Sequence, residues 1–235
     1  MKYFKNILVL YLLLFGINSK GQIIGTNLVH NPSFEEYYTC PDATNELYKC
    51  KYWWGYSTEY FNSCATIPQL AIPSNAFGFQ YAHSGVAYAG FGVYSNTWIN
   101  NYREAIKTKL SDSLIANKRY CTNFYITLAE GSFVNDNYVL LDSIGMLFTK
   151  DSVQDSIVPF LSSGIRVQND IFNIDTVSWF KIANSFNSNG GEQYLTIGNF
   201  DNVISWPIGK IGVTYVYVDD VSVCECSFKF SLGND

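Results

Sequence analysis

The sequence predicts an all-β protein, and three observations support this prediction. Segments in which apolar and polar residues alternate recur between clusters of Gly, Asn, Asp and Ser, whereas helical periodicity is scarce. The 18 tyrosines and 17 phenylalanines, with charged residues at 15 %, suit β-sheets and argue against disorder. About 214 residues follow a short leader, and this length is ordinary for one all-β domain with a sizeable core.

The clearest predicted strand covers residues 120–128. Its even positions, mostly apolar, lie on one face and its odd positions on the other, as a half-buried strand requires. The same logic predicts strands at 24–29, 87–93, 104–109, 143–148, 179–186, 194–200 and 213–223. One short helical turn is expected within residues 45–52. Two segments are interpreted as loops, residues 37–81 and 151–175.

The chain opens with the features of a secretory signal peptide. Lys2 and Lys5 precede an apolar run at 7–17, which is too short to span a bilayer, and Ser19-Lys20-Gly21 suits a signal peptidase. No later segment predicts a membrane span. We therefore expect a signal peptide at 1–21, a β-sandwich module at 22–227, and the start of a linker or tail at 228–235. The protein is expected to be secreted or at the cell surface, with downstream domains of a longer chain.

The charge balance argues against nucleic acid as a partner. Without the three lysines of residues 1–21, 12 basic residues face 20 acidic residues, which gives a net charge of −8. Catalysis has little support either. His30 and His83 are the only histidines, and neither lies in a nucleophile elbow or a zinc motif. We expect no enzyme activity.

Six cysteines in an exported chain favour disulfide bonds, and no Cys-x-x-Cys metal spacing occurs. Spacing alone does not define the pairing. By position, two bonds are expected: Cys40 with Cys64, closing the early aromatic loop, and Cys121 with Cys226, tying a middle strand to the last. Cys50 and Cys224 are left either to form a third bond or to remain thiols.

The stretch YVYVDDVSV, residues 215–223, places two carboxylates in the middle of a strand that otherwise looks buried. Since neighbours on a strand face opposite ways, Asp219 should share the core side with Val221 and Val223, and Asp220 should lie in water. A carboxylate held away from water needs compensation by a metal ion, by backbone amides, or by a lysine or arginine. A bulge would exchange the facing of Asp219 and Asp220.

Eight phrases of the sequence fall into a known order: NLVHNPSFE (27–35), EYFNSC (59–64), SGVAYAG (84–90), YREAIKTKL (102–110), SLIANKRYCTNFYITLA (113–129), DSIGMLF (142–148), GGEQYLTIGNF (190–200) and YVDDVSV (217–223). Over nearly the whole mature chain they resemble the amino-terminal β-sandwich module of large exported surface proteins in gliding, type IX-secreting bacteria. The framework strands are distantly similar to carbohydrate-binding modules of the galactose-binding-like jelly roll. The resemblance implies a jelly-roll β-sandwich that binds a glycan or polysaccharide, or serves as a surface adhesion module.

The resemblance also implies a structural calcium ion. In such jelly rolls the first and last strands run near each other, and a glutamate after the NxxF motif can share calcium with the closing aspartate. Here these residues would be Glu35 and Asp219. Calcium takes six to eight oxygens, so two carboxylates and backbone carbonyls would suffice. Glu36 and Asp220 could exchange roles with their neighbours.

The candidate glycan contacts lie in the aromatic loops between residues 53 and 103. Flat rings can stack on the apolar faces of sugars, while a few polar groups supply specificity. The candidates are Trp53, Trp54, Tyr60, Tyr81, Tyr94, Trp98 and Arg103. Of Trp53 and Trp54, one is expected to anchor the core and the other to be exposed. Alternatively, these rings pack the loops onto the sandwich, and the protein is a structural spacer that binds no sugar.

Overall fold

A computed structural model describes residues 25–95, 102–134, 144–153, 164–169, 175–200 and 212–226. The strands of these ranges are β1 (Trp53–Gly55), β2 (Glu59–Asn62), β3 (Ser74–Asn75), β4 (Gly78–Phe79), β5 (Ala87–Ser95), β6 (Ala105–Lys109), β7 (Arg119–Leu128), β8 (Phe133–Val134), β9 (Ile144–Thr149), β10 (Ile165–Asn169), β11 (Phe180–Asn187), β12 (Tyr194–Asn199) and β13 (Gly212–Glu225). Two 3-10 turns accompany them, Leu47–Lys49 and Pro68–Leu70.

Two antiparallel sheets form a sandwich, which confirms the predicted fold class. The five-stranded sheet has the order β1-β6-β12-β9-β10. The six-stranded sheet has the order β11-β7-β13-β5-β2, with β8 paired to β13. In the long central pair, β7 and β13 run antiparallel from Leu128 opposite Val216 to Tyr120 opposite Glu225. Strands β3 and β4 form a small separate hairpin.

The main hydrophobic core lies between the two sheets. Alternating residues of each strand enter it, as period-two patterning requires. Four residues of β7 at even positions belong to this core, as predicted: Tyr120, Phe124, Ile126 and Leu128. Trp53 is the largest of its fully buried side chains.

A second, smaller core covers the outer face of the six-stranded sheet. Its buried members are Phe61, Leu70, Tyr88, Ala129, Tyr215 and Tyr217, and parts of residues 65–82 pack against them. The tyrosine hydroxyls are hydrogen-bonded: Tyr215 donates to Glu59 Oε2 at 2.5 Å, and Tyr217 donates to Asn75 Oδ1 at 2.8 Å. This covering segment is therefore an integral layer of the fold.

Seven predicted strands are confirmed to within two residues at β5, β6, β7, β9, β11, β12 and β13. The predicted helical turn is confirmed at Leu47–Lys49. Near the predicted strand 24–29 the described chain makes an isolated bridge, Val29 to Leu110. Strands β1 to β4 and β10 form within segments interpreted as loops. These strands are two to five residues long, too short for alternation to distinguish them from loops.

Both expected disulfide bonds are present. Cys40 bonds Cys64 and Cys121 bonds Cys226, with Cα–Cα distances of 5.6 and 5.1 Å. Cys50 and Cys224 are buried thiols. Burial raises the pKa of Cys50, which lies 3.2 Å from the Asn31 amide nitrogen.

The predicted signal peptide and the predicted tail at 228–235 lie outside the described residues. In the ranges that the structure describes, no helix is long and apolar enough to cross a membrane.

Candidate binding site

A bulge in β13 decides where the two adjacent aspartates point. Asp220 has a φ of +49°, and the register with β7 shifts between Asp219 and Ser222. Because of this bulge, Val218 and Val221 both face the main core. Asp219 therefore faces the opposite side, together with Tyr217. The prediction that Asp219 shares a side with Val221 was wrong, although Asp219 is fully buried as expected.

Backbone amides compensate the Asp219 carboxylate. Its Oδ2 accepts from the amides of His83 at 2.9 Å and Ser84 at 3.1 Å, and its Oδ1 accepts from the amide of Asp220 at 2.7 Å. Desolvation by burial raises the pKa of Asp219 to about 8, even though these amides favour the ionised form. The carboxylate thus fixes the start of the turn at residues 83–87.

Glu35 fixes the other end of this turn. Its Oε1 accepts from the amides of Val86 at 2.9 Å and Ala87 at 3.0 Å. Gly85 lies between the amides that bond Asp219 and the amides that bond Glu35. It has a φ of +64°, and a Cβ built on it would lie 2.3 Å from Glu35 Oε1. Burial raises the pKa of Glu35, and the nearby charge of Asp220 raises it further. Glycine is the residue that this backbone and this carboxylate allow.

Asp220 completes the arrangement from the solvent side. Its Oδ2 accepts a hydrogen bond from His83 Nδ1, and its Oδ1 accepts from Ser84 Oγ at 2.7 Å. We call residues 83–87 the carboxylate-held turn, since Glu35, Asp219 and Asp220 all bond to it. The resemblance implied that the start and end of the domain meet here, and in the structure they do.

These three carboxylates are the residues proposed to bind calcium. Backbone amides, a hydroxyl and an imidazole satisfy the oxygens described above without an ion. Among the described residues, no group of three or more His, Cys, Asp or Glu side chains is arranged to hold a metal ion. A calcium ion shared by Glu35 and Asp219 stays a prediction.

Partly exposed aromatic rings surround the carboxylate-held turn on the outer side of the six-stranded sheet. His83 stacks on Tyr125 with ring centroids 3.6 Å apart and lies 6.0 Å from Trp179. Phe79 and Tyr81, 51 % and 64 % exposed, form an edge-to-face pair at 5.3 Å. We call these five side chains the aromatic patch.

Hydrogen bonds hold the backbone of the aromatic patch in place. Trp179 donates its indole N–H to the carbonyl of Tyr81 at 2.9 Å, which joins the start of β11 to the segment after β4. The amide of Phe79 donates to Glu130 Oε2 at 3.0 Å. Lys181 Nζ lies 5.7 Å from the centroid of the Tyr125 ring. The patch is consequently a largely preformed surface.

Four of the sequence-predicted contacts are wrong because their side chains are buried. Trp53, Tyr60, Tyr94 and Arg103 are at most 3 % exposed. Trp53 donates its indole N–H to the carbonyl of Asn31, and Tyr60 donates its hydroxyl to the carbonyl of Phe34. Their rings pack loops onto the sandwich, which was the alternative interpretation. Trp98 lies outside the described residues.

The other two candidates lie in different places. Trp54 is partly exposed, opposite its buried neighbour Trp53, as expected, and meets Tyr194 edge-on at 6.5 Å. It belongs to the five-stranded sheet, apart from the aromatic patch. Tyr81 belongs to the patch. Tyr81 is the patch residue that was predicted, whereas Phe79, His83, Tyr125 and Trp179 were not. A large ring on the odd, polar face of β7 was the available signal for Tyr125.

No protein-family model matches the chain, and no curated protein matches it. Solved structures resemble it weakly. A CBM22-1 xylan-binding domain from Paenibacillus barcinonensis has a TM-score of 0.42 at 14 % identity, over 88 % of this chain and 98 % of that domain. A cleaved adhesin domain of Lys-gingipain from Porphyromonas gingivalis has a TM-score of 0.41 at 11 % identity, over 86 % of this chain and 100 % of that domain.

A third structure contains the CBM22-1 and GH10 modules of a Clostridium thermocellum endo-1,4-beta-D-xylanase, complexed with xylohexaose. It has a TM-score of 0.43 at 10 % identity, over 90 % of this chain and 30 % of that chain. At these TM-scores and identities, the likenesses are too weak to transfer a function to this protein.

Proposed function

We propose that this protein is a non-catalytic glycan-binding module that binds its ligand on the aromatic patch. One observation carries the proposal: five ring side chains from three separate parts of the chain form two contacting groups beside a braced turn, and the Trp179–Tyr81 hydrogen bond joins the two groups. Large rings are usually buried, so their partial exposure together at one place favours recognition.

The chemistry of the patch suits sugar rings. A pyranose has apolar C–H faces that can lie on an aromatic ring, and hydroxyls that need polar partners at the edge. Tyr81 offers an exposed ring, and His83 and Lys181 offer nitrogen atoms beside the Tyr125 ring. Because the turn and the neighbouring backbone are already hydrogen-bonded, binding would order few further groups. The loss of affinity from conformational entropy would therefore be small.

The charges around the patch favour a neutral glycan. Asp220 is hydrogen-bonded to His83 Nδ1, and Glu130 is bonded to the Phe79 amide. The mature chain also carries a net charge of −8 when residues 1–21 are removed. An acidic polysaccharide would meet these carboxylates, and like charges brought together weaken association.

The setting proposed for this module is outside the cell. Two disulfide bonds are typical of proteins exported to an oxidising compartment. We extend the proposal to a secreted or cell-surface location, with adhesion to a glycan as the role and with further domains in a longer chain. Export by the type IX route rests only on the resemblance in sequence.

A glycan array of neutral and acidic oligosaccharides, followed by calorimetric titration, tests the proposal. Tyr81→Ala should weaken binding of the best neutral oligosaccharide roughly five- to tenfold, since ring stacking is worth about 1 kcal/mol. Tyr38, 69 % exposed and outside the patch, gives the matched control, and Tyr38→Ala should bind as the wild type does. Both variants should melt like the wild type.

Two results would contradict the proposal. If the wild type binds nothing at millimolar oligosaccharide, the structural spacer becomes the better account. If Trp54→Ala abolishes binding while Tyr81→Ala does not, the ligand binds on the five-stranded sheet and the aromatic patch is not the site.

A further inference from the structure

The aromatic patch contains one polar side chain whose orientation is fixed from several directions. The backbone amide of His83 donates to Asp219, and its Nδ1 donates to Asp220, whose other oxygen is held by Ser84 Oγ at 2.7 Å. The imidazole also stacks on Tyr125 at 3.6 Å. The ring therefore has little freedom to rotate, although its side chain is 29 % exposed.

The contact with Asp220 also determines which nitrogen carries the proton in the neutral imidazole. A carboxylate only accepts hydrogen bonds, so Nδ1 must be the donor, and Nε2 of the neutral ring then has a free lone pair. Among the described residues, the hydrogen bond of the His83 ring is the one made by Nδ1. Nε2 is the nitrogen left for another molecule.

We propose that His83 Nε2 accepts a hydrogen bond from a hydroxyl of a neutral sugar that is stacked on the aromatic patch, and that Asp220 is the residue that orients it. The inference rests on the proposed function. It assigns to the aromatic patch one polar contact that recognises a sugar hydroxyl, beside side chains that contribute stacking surfaces. A fixed acceptor beside stacking rings discriminates between sugars by the position of one hydroxyl, because a sugar without a donor there leaves Nε2 unpaired.

The tautomer can be measured without any glycan. Nitrogen-15 NMR of the ring, on the whole protein in mildly alkaline buffer, should show the form with the proton on Nδ1. Asp220→Asn should change this spectrum, because an amide in that place can turn its nitrogen or its oxygen towards Nδ1. A wild-type ring with its proton on Nε2, or a ring that is still doubly protonated, would overturn the inference.

Two substitutions of different length then test the contact with the best neutral oligosaccharide of the array. His83→Asn keeps a donor near the Nδ1 position and removes the group at Nε2, so it should weaken binding about three- to tenfold, while the lost stack on Tyr125 should lower the melting temperature only slightly. His83→Gln places an acceptor near the Nε2 position and should weaken binding less. His30→Asn is the control, since His30 stacks on Tyr52 outside the patch.

The outcomes separate this inference from the proposed function. If the wild type binds no oligosaccharide, both fail. If Tyr81→Ala weakens binding and His83→Asn does not, the patch remains the binding surface and the role of His83 is refuted. If His83→Asn weakens binding and His83→Gln restores part of it, the acceptor at Nε2 is supported.

Discussion

Replacing Gly85 with alanine tests the carboxylate-held turn most directly. At a φ of +64°, alanine is strained by roughly 1–2 kcal/mol. Its Cβ would also lie 2.3 Å from Glu35 Oε1 and 2.4 Å from Cδ, so the carboxylate must move away from the amides of Val86 and Ala87. Because these two hydrogen bonds are partly exposed, losing each should cost about 0.5–1 kcal/mol of unfolding free energy.

The two contributions add to about 2–4 kcal/mol of lost unfolding free energy. For a domain of this size, 1 kcal/mol lowers the melting temperature by about 2–4 °C, so Gly85→Ala should melt roughly 5–15 °C below the wild type. Gly191→Ala isolates the backbone strain, because Gly191 has a φ of +90° and its Cβ would make only ordinary contacts with Lys150, from 3.5 Å. It should melt about 2–8 °C below the wild type.

A double-mutant cycle between positions 35 and 85, measured by thermal and urea unfolding, separates strain from displacement. In the Glu35→Ala background the carboxylate is gone, so Gly85→Ala should cost only the strain, about 1–2 kcal/mol. Equal costs of Gly85→Ala in both backgrounds would refute the claim that Glu35 fills the place of a side chain at position 85.

Three further predictions concern the buried aspartate and the disulfide bonds. If calcium binds the native state at Asp219, the melting temperature should rise with calcium and fall with chelator, and Asp219→Asn should remove the response; identical melting curves for metal-free and calcium-treated protein would contradict calcium binding. The pKa of Asp219 is raised from 3.8 to about 8 in the folded state, so the unfolded state loses this proton at lower pH. The contribution of Asp219 to stability should therefore fall as the pH rises from about 4 to 8, and Asp219→Asn should flatten that part of the stability–pH profile. Removing the Cys121–Cys226 bond, with a sequence separation of 105, should destabilise more than removing Cys40–Cys64, with 24; equal losses in urea unfolding would contradict this order.

Alternation in the sequence predicted the sandwich because, in a long strand with one buried face, the period-two pattern is visible without knowledge of the neighbouring strands. Strand β7 is the clearest example, since every residue that it was expected to bury is buried. The bulge at Asp220 was not predictable in the same way. A single residue with positive φ changes the facing of everything after it, and positive φ is uncommon for any residue other than glycine, even for aspartate, which is enriched there.

The binding site was harder to predict than the fold, because aromatic residues serve both for packing and for recognition. The sequence left open whether the rings of the loop at 37–81 are exposed or pack the loop onto the sandwich; Phe61 is fully buried in a second core and Phe77 packs against it. Burial of Tyr60 and Tyr94 likewise depends on long-range contacts, which an alternating sequence pattern does not reveal. Trp179 joins the patch through the backbone carbonyl of Tyr81 and the ring of His83, both distant in sequence.

The bulge explains how two neighbouring acids act on one turn in different ways. Without it, alternation would place Val221 on the same face as Asp219, away from the main core. With it, Val221 stays in the core while Asp219 accepts from the amides of His83 and Ser84, and the left-handed residue Asp220 turns its carboxylate to the His83 ring. One aspartate therefore fixes the backbone of the turn while the other fixes the side chain that it presents. Shifting the pair by a single residue would break both connections, which is why the position of the acids along β13 matters more than their number.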